Sequence, residues 1–433
     1  KYDKEIAPEI TFSNFLRYKI HDFDKDTRLV SFKTYQNGRR SFEQLISDTS
    51  FSVDSLYFYQ NSKQLRNELI IYYTPSDRFD ILLGQETRFS SIQGDYVSSD
   101  IDNPEENGTL TLSDTPLGGN QFNSFDLGFF SQASFNLADD FSVIGGLRYD
   151  YNRIRSSEGY GGVINPRLSV VVSPGKYVFK AIFASAFLDA NSRERFSTVE
   201  GQRELSNPDL EPERVTNIEL MASAKYLEGK LKLDLTAYRS MYSNIIESIT
   251  VPLGSGTTLQ NNNIGKQRVI GLQSNAYYQQ GNISLYFNYT FSNSYVIDPL
   301  DSNEEALLDE NGEILEELLV GDIADHQINL GANYTLGKFI NLNLRVNYVG
   351  SRKTGEDTNV DGNLDVFDPY AVFFGSIQGR LPQWKALTIQ ATVNNIFDTE
   401  YSSPGIRDAN NSRFASSLPQ NRRNFFLRIL LDI

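Results

Sequence analysis

The chain has 433 residues, with 40 basic against 55 acidic side chains and a formal net charge of −15; its pI of about 4.8 argues against binding nucleic acid through bulk positive charge. There is no cysteine, and the two histidines are His21 and His326, which excludes a thiolate nucleophile, a disulfide framework and a Cys/His zinc site. No run of about 18 uncharged apolar residues exists to form a spanning helix, but a spanning barrel stays open, because alternating strands average to a mean hydropathy such as the −0.39 found here.

Short turns are expected at Asp24-Lys25-Asp26, Pro75-Ser76-Asp77, Leu137-Ala138-Asp139-Asp140, Ser173-Pro174-Gly175-Lys176, Leu227-Glu228-Gly229, Gln280-Gly281-Asn282, Leu336-Gly337-Lys338 and Leu381-Pro382-Gln383. Long polar segments fall between them, at about 39–63, 90–120, 150–162, 188–212, 240–263, 293–322, 350–369 and 398–422. The intervening strands alternate with period two. Leu231, Leu233, Leu235 and Ala237 alternate with Lys232, Asp234, Thr236 and Tyr238; Ile283, Leu285, Phe287 and Tyr289 with Ser284, Tyr286, Asn288 and Thr290. Leu342, Leu344, Val346 and Tyr348 alternate with Asn341, Asn343, Arg345 and Asn347, and Leu387, Ile389, Ala391 and Val393 with Thr388, Gln390, Thr392 and Asn394. These runs reach the roughly 9 to 11 residues that cross a bilayer. Strict alternation of short and long connections is the habit of an outer-membrane barrel, not of a sandwich. The aromatic content, 24 Tyr and 29 Phe, suits girdles at the two interfaces.

The reading is therefore an all-β transmembrane antiparallel β-barrel occupying residues 1–433, with about 17 strands. Bacterial single-chain barrels have even strand numbers, and about 22 is the size of plugged transporters. The expectation is that the first five strands and a plug lie outside this chain and that its first strand runs downward. No apolar segment of signal-peptide type follows Lys1.

The stretch Asn207-Pro208-Asp209-Leu210-Glu211-Pro212-Glu213-Arg214-Val215-Thr216-Asn217-Ile218-Glu219-Leu220 resembles the NPDL-x-PE-x-x-x-N-x-E-L run of TonB-dependent outer-membrane receptors. So do Gly146-Leu147-Arg148-Tyr149-Asp150, Asn165-Pro166-Arg167-Leu168-Ser169, and Asn263-Ile264-Gly265-Lys266 leading to Gly271-Leu272. Val393-Asn394-Asn395-Ile396-Phe397-Asp398-Thr399-Glu400-Tyr401 and Leu418-Pro419-Gln420-Asn421-Arg422-Arg423-Asn424-Phe425-Phe426 complete an ordered set over about residues 140–433. The family usually ends on an aromatic residue, where this chain has Ile433. The resemblance implies a plugged barrel in the bacterial outer membrane, with loops extracellular and turns and C-terminus periplasmic. It implies a small-molecule ligand such as a ferric siderophore or cobalamin, coupling to the TonB-ExbB-ExbD complex through an N-terminal segment, and neither covalent chemistry nor an organic cofactor. An unplugged barrel, acting as a passive pore or as a scaffold for a surface lipoprotein or secretion complex, is the alternative. A barrel hydrolase is weaker, since the strand path puts His21 and His326 toward opposite rims.

Two local patterns add candidate sites. Asp357, Asn359, Asp361, Asn363, Asp365 and Asp368 place oxygens at positions 1, 3, 5, 7, 9 and 12 around Gly362, the backbone carbonyl serving at position 7. That spacing points to a structural calcium ion ordering a loop, with Asp368 where Glu is usual; a solvated Asx-rich tip is the alternative. Arg39, Arg40, Arg193, Arg195 and Arg203 could clamp an anionic chelate, although Arg193-Glu194-Arg195 also fits a solvated loop. Residues 187–206 contain no histidine, which disfavours haem in view of the resemblance.

Overall fold

The computed structural model describes residues 1–22, 28–32, 53–99, 121–154, 158–191, 194–195, 204–205, 207–253, 256–301, 303–309, 311–353, 365–380, 387–405 and 417–431. The wall runs through β1 (Tyr2–Ala7), β2 (Ile10–Asp22), β3 (Val53–Ser76), β4 (Phe79–Ser99), β5 (Gln121–Ala138), β6 (Phe141–Ile154), β7 (Glu158–Val172), β8 (Tyr177–Leu188) and β9 (Glu213–Tyr226). It continues through β10 (Leu231–Leu253), β11 (Gly256–Gln280), β12 (Ile283–Ile297), β13 (His326–Leu336), β14 (Ile340–Val349), β15 (Tyr370–Arg380), β16 (Leu387–Asn394) and β17 (Asn424–Leu431). Each strand pairs antiparallel with the next. Three short segments, Arg28–Phe32, Glu204–Leu205 and Glu317–Leu319, complete a 20-stranded sheet. The expected strand number is met; β1 runs toward a short turn, but residues 10–22, expected to lead into a short turn after residue 20, run away from it.

The meander follows from composition. β8 alternates exposed Tyr177, Phe179, Ala181 and Phe183 with half-buried Val178, Lys180, Ile182 and Ala184, and its neighbours keep the register, with Phe179 opposite Ala222 and Ala222 opposite Leu235. On the outer face Phe179, Ile218, Leu220, Leu285, Leu330, Leu344 and Ile377 stay 42% to 60% exposed. Apolar side chains so exposed in a continuous belt, strand after strand, have lipid as their natural cover. The inner face carries the polar members of each alternation.

Several inner-face aromatics lie flat across the neighbouring strand. Phe130, Tyr238 and Tyr286 sit opposite Gly84, Gly271 and Gly331. A Cβ on Gly331 would come 2.0 Å from the Tyr286 ring, and one on Gly84 2.1 Å from the Phe130 ring, so only glycine lets the rings lie down.

Three expectations change. The tight reversal before β2 is at Pro8-Glu9; Asp24-Lys25-Asp26, expected as a short turn, lie outside the described residues. Segments 10–22 and 28–32 both run antiparallel to β3, at Tyr73 through Asn61 and at Tyr57 through Val53, and so point the same way. His21 consequently lies toward the long-connection end of β2, as His326 does at the start of β13, not at the opposite rim. Several expected loops are ladder: β10 and β11 pair from Leu231–Tyr278 out to Leu253–Gly256, and only 155–157 separate β6 from β7. These segments carry no period-two alternation in sequence, yet their backbones still need partners and find them in the sheet.

Candidate functional site

The inner face of β3 to β6 holds a ladder of charges. Arg66 reaches Glu68 at 2.7 Å and Glu86 at 3.1 Å; Arg88 reaches Glu86 at 3.1 Å and Asp126 at 3.7 Å; Arg148 reaches Asp150 at 2.6 Å and Glu86 at 3.6 Å. Glu86 is the hub, its side chain only 9% exposed against 35% to 37% for the three arginines. Asn152 extends the row by donating to Asp126 at 2.8 Å. Gly128 makes room, since a Cβ there would meet Arg148 Nη2 at 2.8 Å. Arg148 and Asp150 fall within the Gly146–Asp150 stretch noted in the sequence, while Arg66, Glu68, Glu86, Arg88, Asp126 and Asn152 belong to none of the motifs. Their signal was there: Arg66 and Glu68, Glu86 and Arg88, and Arg148 and Asp150 are opposite charges two residues apart, hence on one face of a strand.

Further along the wall, asparagines face one another across strands. Asn288 donates to Asn275 at 2.7 Å, Asn343 to Asn333 at 2.6 Å, Asn347 to Asn329 at 2.8 Å and Asn394 to Asn424 at 2.9 Å. Each amide retains hydrogen-bonding capacity beyond that contact, so the inner wall remains able to bind a polar surface.

At the rim of long connections, Asn191 and Glu194 exchange backbone bonds as a capping box, with Asn191 N donating to Glu194 Oε2 at 2.8 Å and Glu194 N to Asn191 Oδ1 at 3.0 Å. The single turn so formed turns Arg195 inward. Its guanidinium is 1% exposed, bonded to Asp189 Oδ1 at 2.6 Å and to the Pro208 carbonyl at 3.2 Å. Arg195 thus holds the NPDL segment in place and does not offer its charge to the vestibule. Burial pushes the Asp189 carboxyl upward in spite of that partner. Asn207 donates to Asn262 Oδ1 at 2.7 Å, and Asn263 exchanges bonds with the Glu211 backbone at 2.8 Å each way. The motif acts as a staple from β9 to β11. Arg39, Arg40, Arg193 and Arg203 lie outside the described residues.

The calcium pattern is only partly described: Asp357, Asn359, Asp361 and Asn363 lie outside, while Asp365 and Asp368 are placed. A two-rung ladder, Arg352–Phe367 and Lys353–Val366, closes the connection at its base. Arg352 stacks 5.2 Å from the Phe367 ring centroid and donates to the Ser402 carbonyl at 2.9 Å, which ties this connection to the next. There, Arg422 grips Asp398 and Glu400 and holds the Asp398 carboxyl down to about 2. His326 faces outward, its Nδ1 2.9 Å from Tyr289 Oη and its ring 5.3 Å from Phe291.

A long antiparallel meander with a greasy outer face and a paired polar inner face is the wall of a transmembrane β-barrel. The chain matches the family described as TonB dependent receptor-like, beta-barrel, over residues 3–396, and belongs to it; that fold implies an outer-membrane location. It is 25% identical over 210 residues to the heme/hemopexin utilization protein C of Haemophilus influenzae, covering 46% of this chain and 27% of that protein. With the vitamin B12 transporter BtuB of Vibrio vulnificus it shares 25% identity over 197 residues, covering 46% and 27%. Its fold is similar to the ferripyoverdine receptor of the outer membrane of Pseudomonas aeruginosa, with a TM-score of 0.63, 17% identity, and coverage of 98% of this chain and 54% of that one. Both curated alignments take in well under half of the relatives' length.

Proposed function

We propose that this wall belongs to a receptor that binds and actively imports a bulky, scarce nutrient, a ferric siderophore, cobalamin or similar compound. The long connections face outward from the cell, and the short turns and C-terminal end face the periplasm. The single observation that carries the reading is the inner face: a charge ladder and facing asparagines with bonding capacity to spare suit a polar body held in the bore, not a bare aqueous channel. Coupling to the TonB-ExbB-ExbD complex accords with the family. Arg39, Arg40, Arg193 and Arg203 are the candidate anion contacts, and the Asp357–Asp368 pattern would order its connection around calcium. The lack of histidine in 187–206 speaks against haem, though one relative's name includes it.

Uptake of labelled ferric siderophores and cobalamin by cells carrying the full-length protein, with and without the energy-coupling complex, tests the reading. Uptake should collapse without the complex. Equal uptake in both strains would replace active import with a passive pore.

A further inference from the structure

The connection between β12 and β13 contains a tandem repeat: residues 300–307 read Leu-Asp-Ser-Asn-Glu-Glu-Ala-Leu and 308–315 read Leu-Asp-Glu-Asn-Gly-Glu-Ile-Leu. The two copies fold alike. Asp301 Oδ1 accepts the backbone N–H groups of Asn303 and Glu305 at 2.8 and 2.9 Å, and Asp309 Oδ1 those of Asn311 and Glu313 at 2.8 and 2.9 Å. Bridges join Leu300 to Ala306 and Leu308 to Ile314. The copies are also linked, Leu307 N donating to Pro299 O at 3.0 Å and Leu315 N to Leu307 O at 2.8 Å. The stack is rooted on the wall, where Glu317–Leu319 pairs with Tyr295–Ile297.

Among the described residues, this built ridge leaves aliphatic side chains exposed. Leu308 is 59% and Ile314 69% exposed, directly opposite one another, while Leu307 and Leu315 are half-buried. Lipid is not their cover, because the same connection carries exposed Glu304, Glu305, Glu313 and Glu316, and carboxylates do not enter hydrocarbon unpaired. No Lys or Arg occurs from Asp298 to Asp325, so the rim carries one sign of charge. A small ligand needs a concave, mostly enclosed site, and Leu308 and Ile314 are more than half exposed. An apolar centre within a charged rim is the anatomy of a protein interface, and the acidic rim selects a basic counterpart.

We propose that the Leu300–Leu315 ridge is a docking site for a protein partner bearing an apolar face flanked by Lys and Arg, as on a basic amphipathic helix, engaged outside the membrane. The proposal rests on the barrel-wall reading and is independent of which nutrient is carried. It is tested by binding, not uptake, so the two readings fail separately.

The full-length protein in phosphatidylcholine nanodiscs would be titrated with a fluorescein-labelled amphipathic peptide of leucine and lysine, and with its leucine-glutamate counterpart. The lysine peptide should bind and the glutamate peptide should not. Two variants would be compared, Leu308→Ser/Ile314→Ser and Glu304→Gln/Glu305→Gln/Glu313→Gln, each checked for wild-type heat-modifiable mobility as a sign of an intact barrel. Weakening of at least fivefold by both supports the ridge. Affinity within fivefold of wild type for either variant, or no binding of the lysine peptide to wild type, overturns it.

Discussion

Glu86 is the strongest point at which to load the wall. Its carboxylate faces three guanidiniums, at 3.1, 3.1 and 3.6 Å, and is nearly withdrawn from solvent. Removing one member of a fully buried pair costs about 3 to 5 kcal/mol, and an exposed pair is worth about 0 to 1 kcal/mol. Glu86→Gln falls between, because Arg66 keeps Glu68, Arg148 keeps Asp150 and Arg88 keeps Asp126; we expect a loss of about 2 kcal/mol by interpolation. Glu68→Gln, which removes a single contact from a side chain 22% exposed, should cost about 0.5 kcal/mol. The midpoint of urea unfolding in detergent, followed by the mobility of the unheated barrel, measures both. A Glu86→Gln shift no larger than that of Glu68→Gln would refute the hub.

Gly331→Ala should destabilise by about 1 to 3 kcal/mol in the same assay, through overpacking against Tyr286, and Gly331→Ala/Tyr286→Ala should recover part of the loss. Asp398 is held at about 2 by Arg422, below its ordinary 3.8, so its contribution is complete above pH 3.8 and disappears as pH falls through 2. Hydrogen exchange of the 398–405 segment should therefore stay protected from pH 7 to 4 and open near 2, while Arg422→Gln moves the opening toward 3.8; identical profiles would dismiss the pair. Calcium should bind with a dissociation constant on the order of 10⁻⁴ to 10⁻³ M, the range of extracellular loops, and Asp357→Asn/Asp361→Asn should remove the heat of binding in titration calorimetry. Equal heats would leave the loop a solvated tip.

How legible the molecule was depends on which side of each residue is wet. Where lipid covers one face, as at Leu231, Leu233 and Leu235, period two gives strand, register and orientation together. Above that belt the signal is lost although the ladder persists, so 240–263 reads as loop and folds as hairpin. The reversal at Pro8-Glu9 was hidden because β1 is short and the Asp-Lys-Asp cluster offered stronger turn chemistry. The NPDL run marked its strand entry by resemblance, but spacing could not show that Arg195 points inward, since that depends on the capping box formed with Asn191 and on the distant Pro208 carbonyl. The charge ladder was visible as alternating charges at two-residue spacing, and the ridge as an eight-residue repeat. Both needed a pairing partner, known only from the fold, to acquire meaning.

The height of the β10–β11 hairpin has its own consequence. A tilted strand uses about 10 residues to cross the apolar band, and β11 has 25, so at about 3.3 Å per residue about 50 Å of strand lies beyond the lipid-crossing part. Recognition surfaces mounted on such stilts can change in sequence at the crest while the embedded half is left undisturbed. Substitution at the Leu253–Gly256 tip should therefore not threaten assembly, and a peptide grafted there should be displayed far from the membrane at little risk to the barrel.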